Sequence, residues 1–174
     1  CLFFKREAPT EIRRLFAGPF LLGSLPRPAL IPVVTDLERH RFQAVHSLDV
    51  GEAFRLGVLS EARGPFNLAA DPPIGPRELA EVFDARTVRL PTAPVRALAA
   101  ASYALRLQPS EPGWLDMALA VPLMDSSRAR AELGWIPRHS ALDALRGLLA
   151  GMREGSDLKT PPLARETSGP ARLR

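Results

Sequence analysis

The spacing of apolar and polar positions changes several times along the chain, and each change predicts an element. Phe42-Gln43-Ala44-Val45-His46 is a mostly apolar run that reads as a short buried strand, and it passes directly into Ser47-Leu48-Asp49-Val50-Gly51-Glu52-Ala53. Asp49 is placed to cap a helix by accepting a main-chain N–H two or three residues on, with Glu52 as its capping-box partner. Val50, Ala53, Phe54, Gly57 and Val58 then recur at the spacing of one helical face. Gly64-Pro65 stops the pattern, and Phe66-Asn67-Leu68-Ala69-Ala70 predicts a second short strand. Strand, capped helix and strand make a parallel βαβ unit.

The flanking pattern is α/β as well. Leu2-Phe3-Phe4 is a strand-like run. Thr10 precedes a helical spacing at Ile12, Leu15 and Phe16, and the Gly-, Pro- and Leu-rich stretch to Pro28 reads as a loop. The run 30–34 is extended, with Pro32 arguing for an edge, and 36–41 is a charged loop. Gly75-Pro76 opens a helix whose inner face is Leu79, Val82 and Phe83, and Thr87-Val88-Arg89-Leu90 alternates like a half-buried strand. Helices are expected over 93–107 and 113–121, the second broken by Pro122. Asp125-Ser126-Ser127 offers cap oxygens to a helix through Leu133, Gly134 suits a left-handed C-cap, and Trp135 packs back on the last turn. Ser140 caps a final helix with Leu142, Leu145, Leu148, Leu149 and Met152 inward. After Glu154 no period remains, which predicts a disordered tail over 154–174.

Composition narrows the class. The apolar fraction of 46% over 174 residues suits a globular domain, and no apolar run reaches bilayer length. The expected location is cytoplasmic, and no membrane partner is expected. The one cysteine, Cys1, excludes a disulfide framework or a cysteine zinc cluster within the chain. A lipid-bearing N-terminal cysteine is the competing reading of Cys1, but the apolar run after it suits a core strand better than a tether. Beginning inside that run without Met, the chain reads as part of a longer protein. The net charge is +4, with 23 basic residues of which 21 are Arg, yet these are scattered rather than blocked, so no nucleic-acid partner is expected. His46, Ser47 and Asp49 lie too close on an extended segment to converge as a hydrolase triad. His139 has no second metal ligand at a useful spacing, so no metal site is expected.

Three segments in this order, Val45-His46-Ser47-Leu48-Asp49-Val50, Phe66-Asn67-Leu68, and Asp125-Ser126-Ser127-Arg128-Ala129 leading to Leu133-Gly134-Trp135-Ile136-Pro137, carry a family resemblance. The last is the most specific. Over roughly 1–153 the chain resembles the C-terminal part of extended short-chain dehydrogenases, the NAD-dependent epimerase/dehydratase family. The resemblance implies a Rossmann-type oxidoreductase in which a Gly-x-x-Gly-x-x-Gly turn binds NAD or NADP and a Tyr-x-x-x-Lys pair supplies the acid and base. Neither stands in this sequence, since Tyr103 has Leu107 four residues later. Both would precede residue 1, making 1–4 a remnant core strand of the Rossmann sheet and 1–153 the substrate-side α/β lobe. By that reading the chain alone holds no catalytic residue and binds no dinucleotide.

The resemblance further implies that Ile31 to Val34, with Val33 and Val34 foremost, line a small-molecule substrate, and that Arg41 and Gln43 point toward it. A surface charge at a strand start is the alternative for Arg41. His46, Asp49, Asn67, Asp125, Gly134 and Trp135 are read as structural, His46 through a satisfied hydrogen bond and Asp49 through its cap. Nucleotide-sugar members usually grip the diphosphate with an Arg shortly before the Asp-Ser segment, a bidentate task suited to guanidinium. Here no Arg or Lys lies between Arg106 and Arg128, so the substrate is a sugar nucleotide or a different small molecule. A non-catalytic dinucleotide-binding regulator of the same fold and a free-standing interaction module remain as other classes, and an oligomer is possible.

Overall fold

The computed structural model describes residues 2–7, 32–107, 111–154 and 156. The helix expected near Thr10, the loop to Pro28, Ile31 and nearly all of the expected tail lie outside the described residues. The described chain is α/β. Its strands are β1 (Leu2–Phe4), β2 (Val33–Asp36), β3 (Ala44–His46) and β4 (Arg86–Arg89). Its helices are α1 (Ser47–Leu59), α2 (Pro76–Phe83), α3 (Thr92–Ala104), α4 (Pro112–Ala120), α5 (Ser127–Leu133) and α6 (Ala141–Glu154).

The strands form two parallel pairs. β1 lies beside β3 with Phe3 opposite Val45, and the Leu2 N–H donates to the Gln43 carbonyl over 2.9 Å. β2 lies beside β4 with Val34 opposite Thr87. Helix α6 covers the first pair with Ala141, Ala144, Leu145, Leu148 and Leu149, all buried, while Leu142 and Met152 sit at the margin of the core. Trp135, Ile74 and Val45 are its largest fully buried side chains. Helix α2 joins the two pairs by packing on β2, β4 and α6. It starts at Gly75, whose N–H donates to the Glu78 carboxylate over 2.8 Å, and its C-cap residue Asp84 is left-handed.

Four expectations need correction. Phe66–Ala70 is not a strand: the Ala70 N–H reaches the Ala44 carbonyl, but the Ala69 N–H is taken by the Ser126 hydroxyl at 2.9 Å, so the ladder stops after one bond. The unit around α1 is therefore strand, helix and extended coil. β4 is exposed along its whole length rather than half-buried, because β2 is its sole strand neighbour among the described residues. On α1 the inward face is Asp49, Val50, Ala53 and Leu56, one step round from the expected stripe, and Phe54 and Val58 are 70% and 83% exposed. Asp49 does not cap that helix: it lies within the first turn, and the cap is His46, whose Nδ1 accepts from the Leu48 N–H at 3.2 Å. Glu52, freed from a capping role, pairs with Arg55 instead.

Helices α3 and α4 pack on each other, and neither buries a residue fully. A bidentate ion pair of Arg96 with Asp116 links them on the solvent side.

Candidate functional site

The segment before β3 turns sharply. Leu37 is buried, the His40 N–H donates to the Leu37 carbonyl over 3.1 Å, and Arg39 sits at φ 67°, a left-handed conformation that a non-glycine residue adopts at a cost of about 1 kcal/mol. Beyond the turn Phe42 exchanges two main-chain bonds with Ile74, at 3.0 and 2.8 Å, which fixes where the chain enters β3. Arg41 is held beside Gly75, where an added Cβ would lie 3.8 Å from Arg41 Cγ.

Arg39 and Arg41 then stand two residues apart on one side of this segment, both exposed, and line an open cleft of about 460 Å³. The opposite wall is apolar: Leu119 and Ala120 from the end of α4, then Val121 and Leu123. His40, between the two arginines, is half-buried, and burial holds its pKa below 6.5. The wall is anchored by Gln43. Its side-chain Nε2 donates to the Met124 carbonyl at 2.9 Å and its Oε1 accepts the Met124 N–H at 2.7 Å, so a buried amide clamps the strand-like segment after Pro122. A second depression of about 360 Å³ between Glu38 and Arg89 is lined by groups of opposite sign.

Of the residues singled out in the sequence for substrate, Arg41 lines the cleft and Gln43 supports its wall. Val33 is 44% exposed and Val34 buried, and neither is among the cleft's lining residues. Sequence reasoning missed Arg39 and the apolar wall. The Arg-x-Arg alternation was a usable signal for the first; the second depends on where α4 ends in space.

Of the remaining motif residues, His46, Asp49 and Trp135 meet in a separate cluster around His139. The Asp49 carboxylate, 3% exposed, accepts the N–H groups of Arg138 and His139, each at 3.0 Å, and His139 Nδ1–H at 3.0 Å. The His139 ring stacks on His46 with centroids 4.2 Å apart. Burial, then the neighbouring His139, lower the His46 pKa below 6.5. The Trp135 indole donates to the Asp49 carbonyl at 2.8 Å. Gly134 takes the left-handed C-cap at φ 63°. At the start of α5 the Asp125 carboxylate accepts the Ser127 N–H and hydroxyl, both at 2.8 Å, bonds that hold its pKa low, while Ser126 turns inward to Ala69. Asn67 is exposed in the coil between Phe66 and Leu68, which are half-buried. Every atom of the Asp49 carboxylate and main chain that faces this cluster is engaged, so the cluster joins α1 to the segment before α6.

Among the described residues no group of three His, Cys, Asp or Glu side chains is placed to hold a metal, and no helix is long and apolar enough to cross a membrane.

No family model and no curated protein matches the chain. Among solved structures it is similar to RMD from Pseudomonas aeruginosa complexed with NADPH, at 12% identity and a TM-score of 0.45 over 88% of this chain and 46% of that one. It is also similar to gox2253, at 22% identity and a TM-score of 0.49 over 74% of this chain and 41% of that one. The chain thus spans less than half the length of either. At these values neither likeness assigns a family, and the functional reading rests on the chain's own residues.

Proposed function

We propose that this chain is the substrate-side lobe of an NAD(P)-dependent oxidoreductase of the epimerase/dehydratase type, and that the Arg39–Arg41 cleft is where its small-molecule substrate enters. The observation that carries the reading is the placement of Arg41. It is the residue that the family resemblance turns toward the substrate, and it lines an open cleft whose far wall is pinned by Gln43, the second residue so singled out. The parallel pairing of β1 with β3, followed directly by α1, supports the same reading, because parallel neighbours belong to sheets covered by helices.

In this reading the hydride chemistry belongs to a nicotinamide dinucleotide held by residues outside this sequence. The lobe itself binds and orients. Arg41 supplies charge-assisted hydrogen bonds to an anionic group, and Gln43 keeps the wall from moving as the ligand seats. Val33 and Val34 stand further from the cleft in this proposal and set the position of the turn that carries the arginines.

The test begins with the coding sequence upstream of residue 1. A glycine-rich turn and a Tyr-x-x-x-Lys pair in frame are expected. The natively produced protein should then quench and shift NAD(P)H fluorescence, and Arg41→Ala should leave that titration unchanged while raising KM for substrate. A glycine-rich turn without the tyrosine favours a non-catalytic dinucleotide-binding regulator. An intact upstream frame with neither motif refutes both readings.

A further inference from the structure

We infer that the Arg39–Arg41 cleft takes an amphiphilic anion: a ligand with one oxyanion head and an apolar body, not a nucleotide diphosphate. This deepens the proposed function and rests on its reading of the cleft as a substrate site.

The two walls differ in chemistry. Neither Arg39 nor Arg41 forms an ion pair with any described residue, and among the several arginines in that state these two line the same cleft. Two guanidinium groups on one rim without a counter-ion repel each other, and an oxyanion between them relieves that repulsion while accepting from both. Arg39 lies at φ 67° within the turn, and both arginines line the cleft.

The facing wall suits an apolar body. Leu119, Ala120, Val121 and Leu123 offer no charged or hydrogen-bonding side chain to a ribose, a base or a second phosphate. Val121 and Leu123 are 50% and 45% exposed, so apolar surface on that wall is available to a ligand's hydrocarbon part. At about 460 Å³ the cleft lies within the range of small-molecule sites, which combine apolar lining with a few orienting polar groups. The wall is also held ready: the two Gln43–Met124 bonds and Pro122 fix the segment, so little ordering is needed on binding.

A carboxylate and a phosphate monoester share the head chemistry, and the experiment separates them. Binding of hexanoate, hexyl phosphate, acetate, inorganic phosphate and UDP-glucose to the natively produced protein is measured by calorimetry at one ionic strength, with NADPH titrated on the same preparation. One of the two six-carbon ligands should bind at least about tenfold more tightly than its short counterpart and more tightly than UDP-glucose. Arg39→Gln and Arg41→Gln should each weaken it by about tenfold or more, as loss of a charge-assisted hydrogen bond does. Leu123→Asp should bring the six-carbon ligand down to the affinity of its short counterpart without moving the thermal midpoint. Equal affinity for long and short ligands, indifference to Arg39→Gln, or preference for UDP-glucose would overturn the inference. NADPH binding without any amphiphile binding removes the inference and leaves the oxidoreductase reading standing. Amphiphile binding that obeys the variants without NADPH binding removes that reading and keeps the site.

Discussion

The Trp135 indole donates to the main-chain carbonyl of Asp49 across 86 residues of sequence, and the Asp49 carboxylate reaches back to the N–H groups of Arg138 and His139. The two residues therefore hold the first turn of α1 and the loop before α6 against each other from both directions. Trp135 is fully buried and Asp49 nearly so, and water does not replace what either gives up.

Asp49→Ala leaves two main-chain donors without an acceptor, and at about 1–3 kcal/mol for each unsatisfied buried group the total loss is about 2–4 kcal/mol after partial relaxation. Trp135→Phe removes one donor and some volume and should cost about 1–2 kcal/mol. Urea midpoints of the natively produced protein check both. A loss below about 0.5 kcal/mol for Asp49→Ala would mean that the loop is held by other contacts.

At Gly151 the last helix packs against the chain that follows β1. A Cβ there would lie 1.7 Å from the Arg6 carbonyl oxygen, so the side chain of any other residue displaces the chain after β1. The ion pair of Arg6 with Glu154, one turn on, holds the same contact from outside but is exposed and adds little. Gly151→Ala should therefore cost about 1–3 kcal/mol by overpacking. More specifically, it should speed amide exchange at Phe3 and Phe4 and tryptic cleavage after Arg6. Unchanged exchange in β1 would show that the helix yields instead of the strand.

Much of this arrangement was legible in the residues themselves. Gly75-Pro76, Gly134 and Ser140 each mark a helix end through local chemistry, and local chemistry survives in the fold: the Ser140 hydroxyl and the Asp143 carboxylate cap α6 reciprocally. What was not legible depends on partners far away in sequence. Asp49 has the composition of a cap, but three donors from 138–139 compete for its oxygens and win by number. Phe66–Ala70 has the composition of a strand, but Ser126 intercepts an N–H that a neighbouring strand would have needed. The cleft was half visible, as Arg41, because the apolar wall opposite comes from a helix end some eighty residues on.

Acid should weaken the fold before its carboxylates titrate. His40 and His46 both have pKa values lowered from 6.5, chiefly by burial, so the folded chain binds protons less readily than the unfolded chain. The sign follows directly: their contribution is intact above about pH 6.5 and is lost as pH falls below it, because protonation there favours unfolding. His40 is the more telling of the two, since its Nδ1 is buried without a hydrogen-bond partner among the described residues. Glu52, Asp116, Glu132 and Glu154 have lowered values through exposed arginine partners, and their loss belongs to a lower pH range and is small. Stability measured between pH 7.5 and about 5.5 should therefore decline, and His40→Phe should flatten that slope. A slope unchanged in His40→Phe would assign the effect to His46, which His46→Asn, retaining a cap acceptor, then tests.

The final prediction concerns apolar surface that the described fold leaves wet. Leu48, Phe54, Val58 and Leu59 on α1 are 64–83% exposed, and Leu98, Leu105 and Leu107 on and after α3 are 69–71% exposed. Clusters of this kind on a soluble chain mark contact surfaces or aggregation sites. Expressed by itself, the chain of residues 1–174 should bind ANS, self-associate in sedimentation and melt without a sharp transition. Phe54→Glu combined with Val58→Lys replaces an exposed i,i+4 apolar pair by an ion pair in the favourable helical order. That double variant should reduce ANS binding and self-association of the 1–174 chain, and, because neither side chain is buried among the described residues, change the folding free energy of the natively produced protein by no more than about 0.5 kcal/mol. A drop in stability beyond that would show that the α1 face is covered in solution. If NAD(P)H binding or turnover of the natively produced protein falls while its melting point holds, the cover is the remainder of that protein, which is the arrangement the substrate-lobe reading requires.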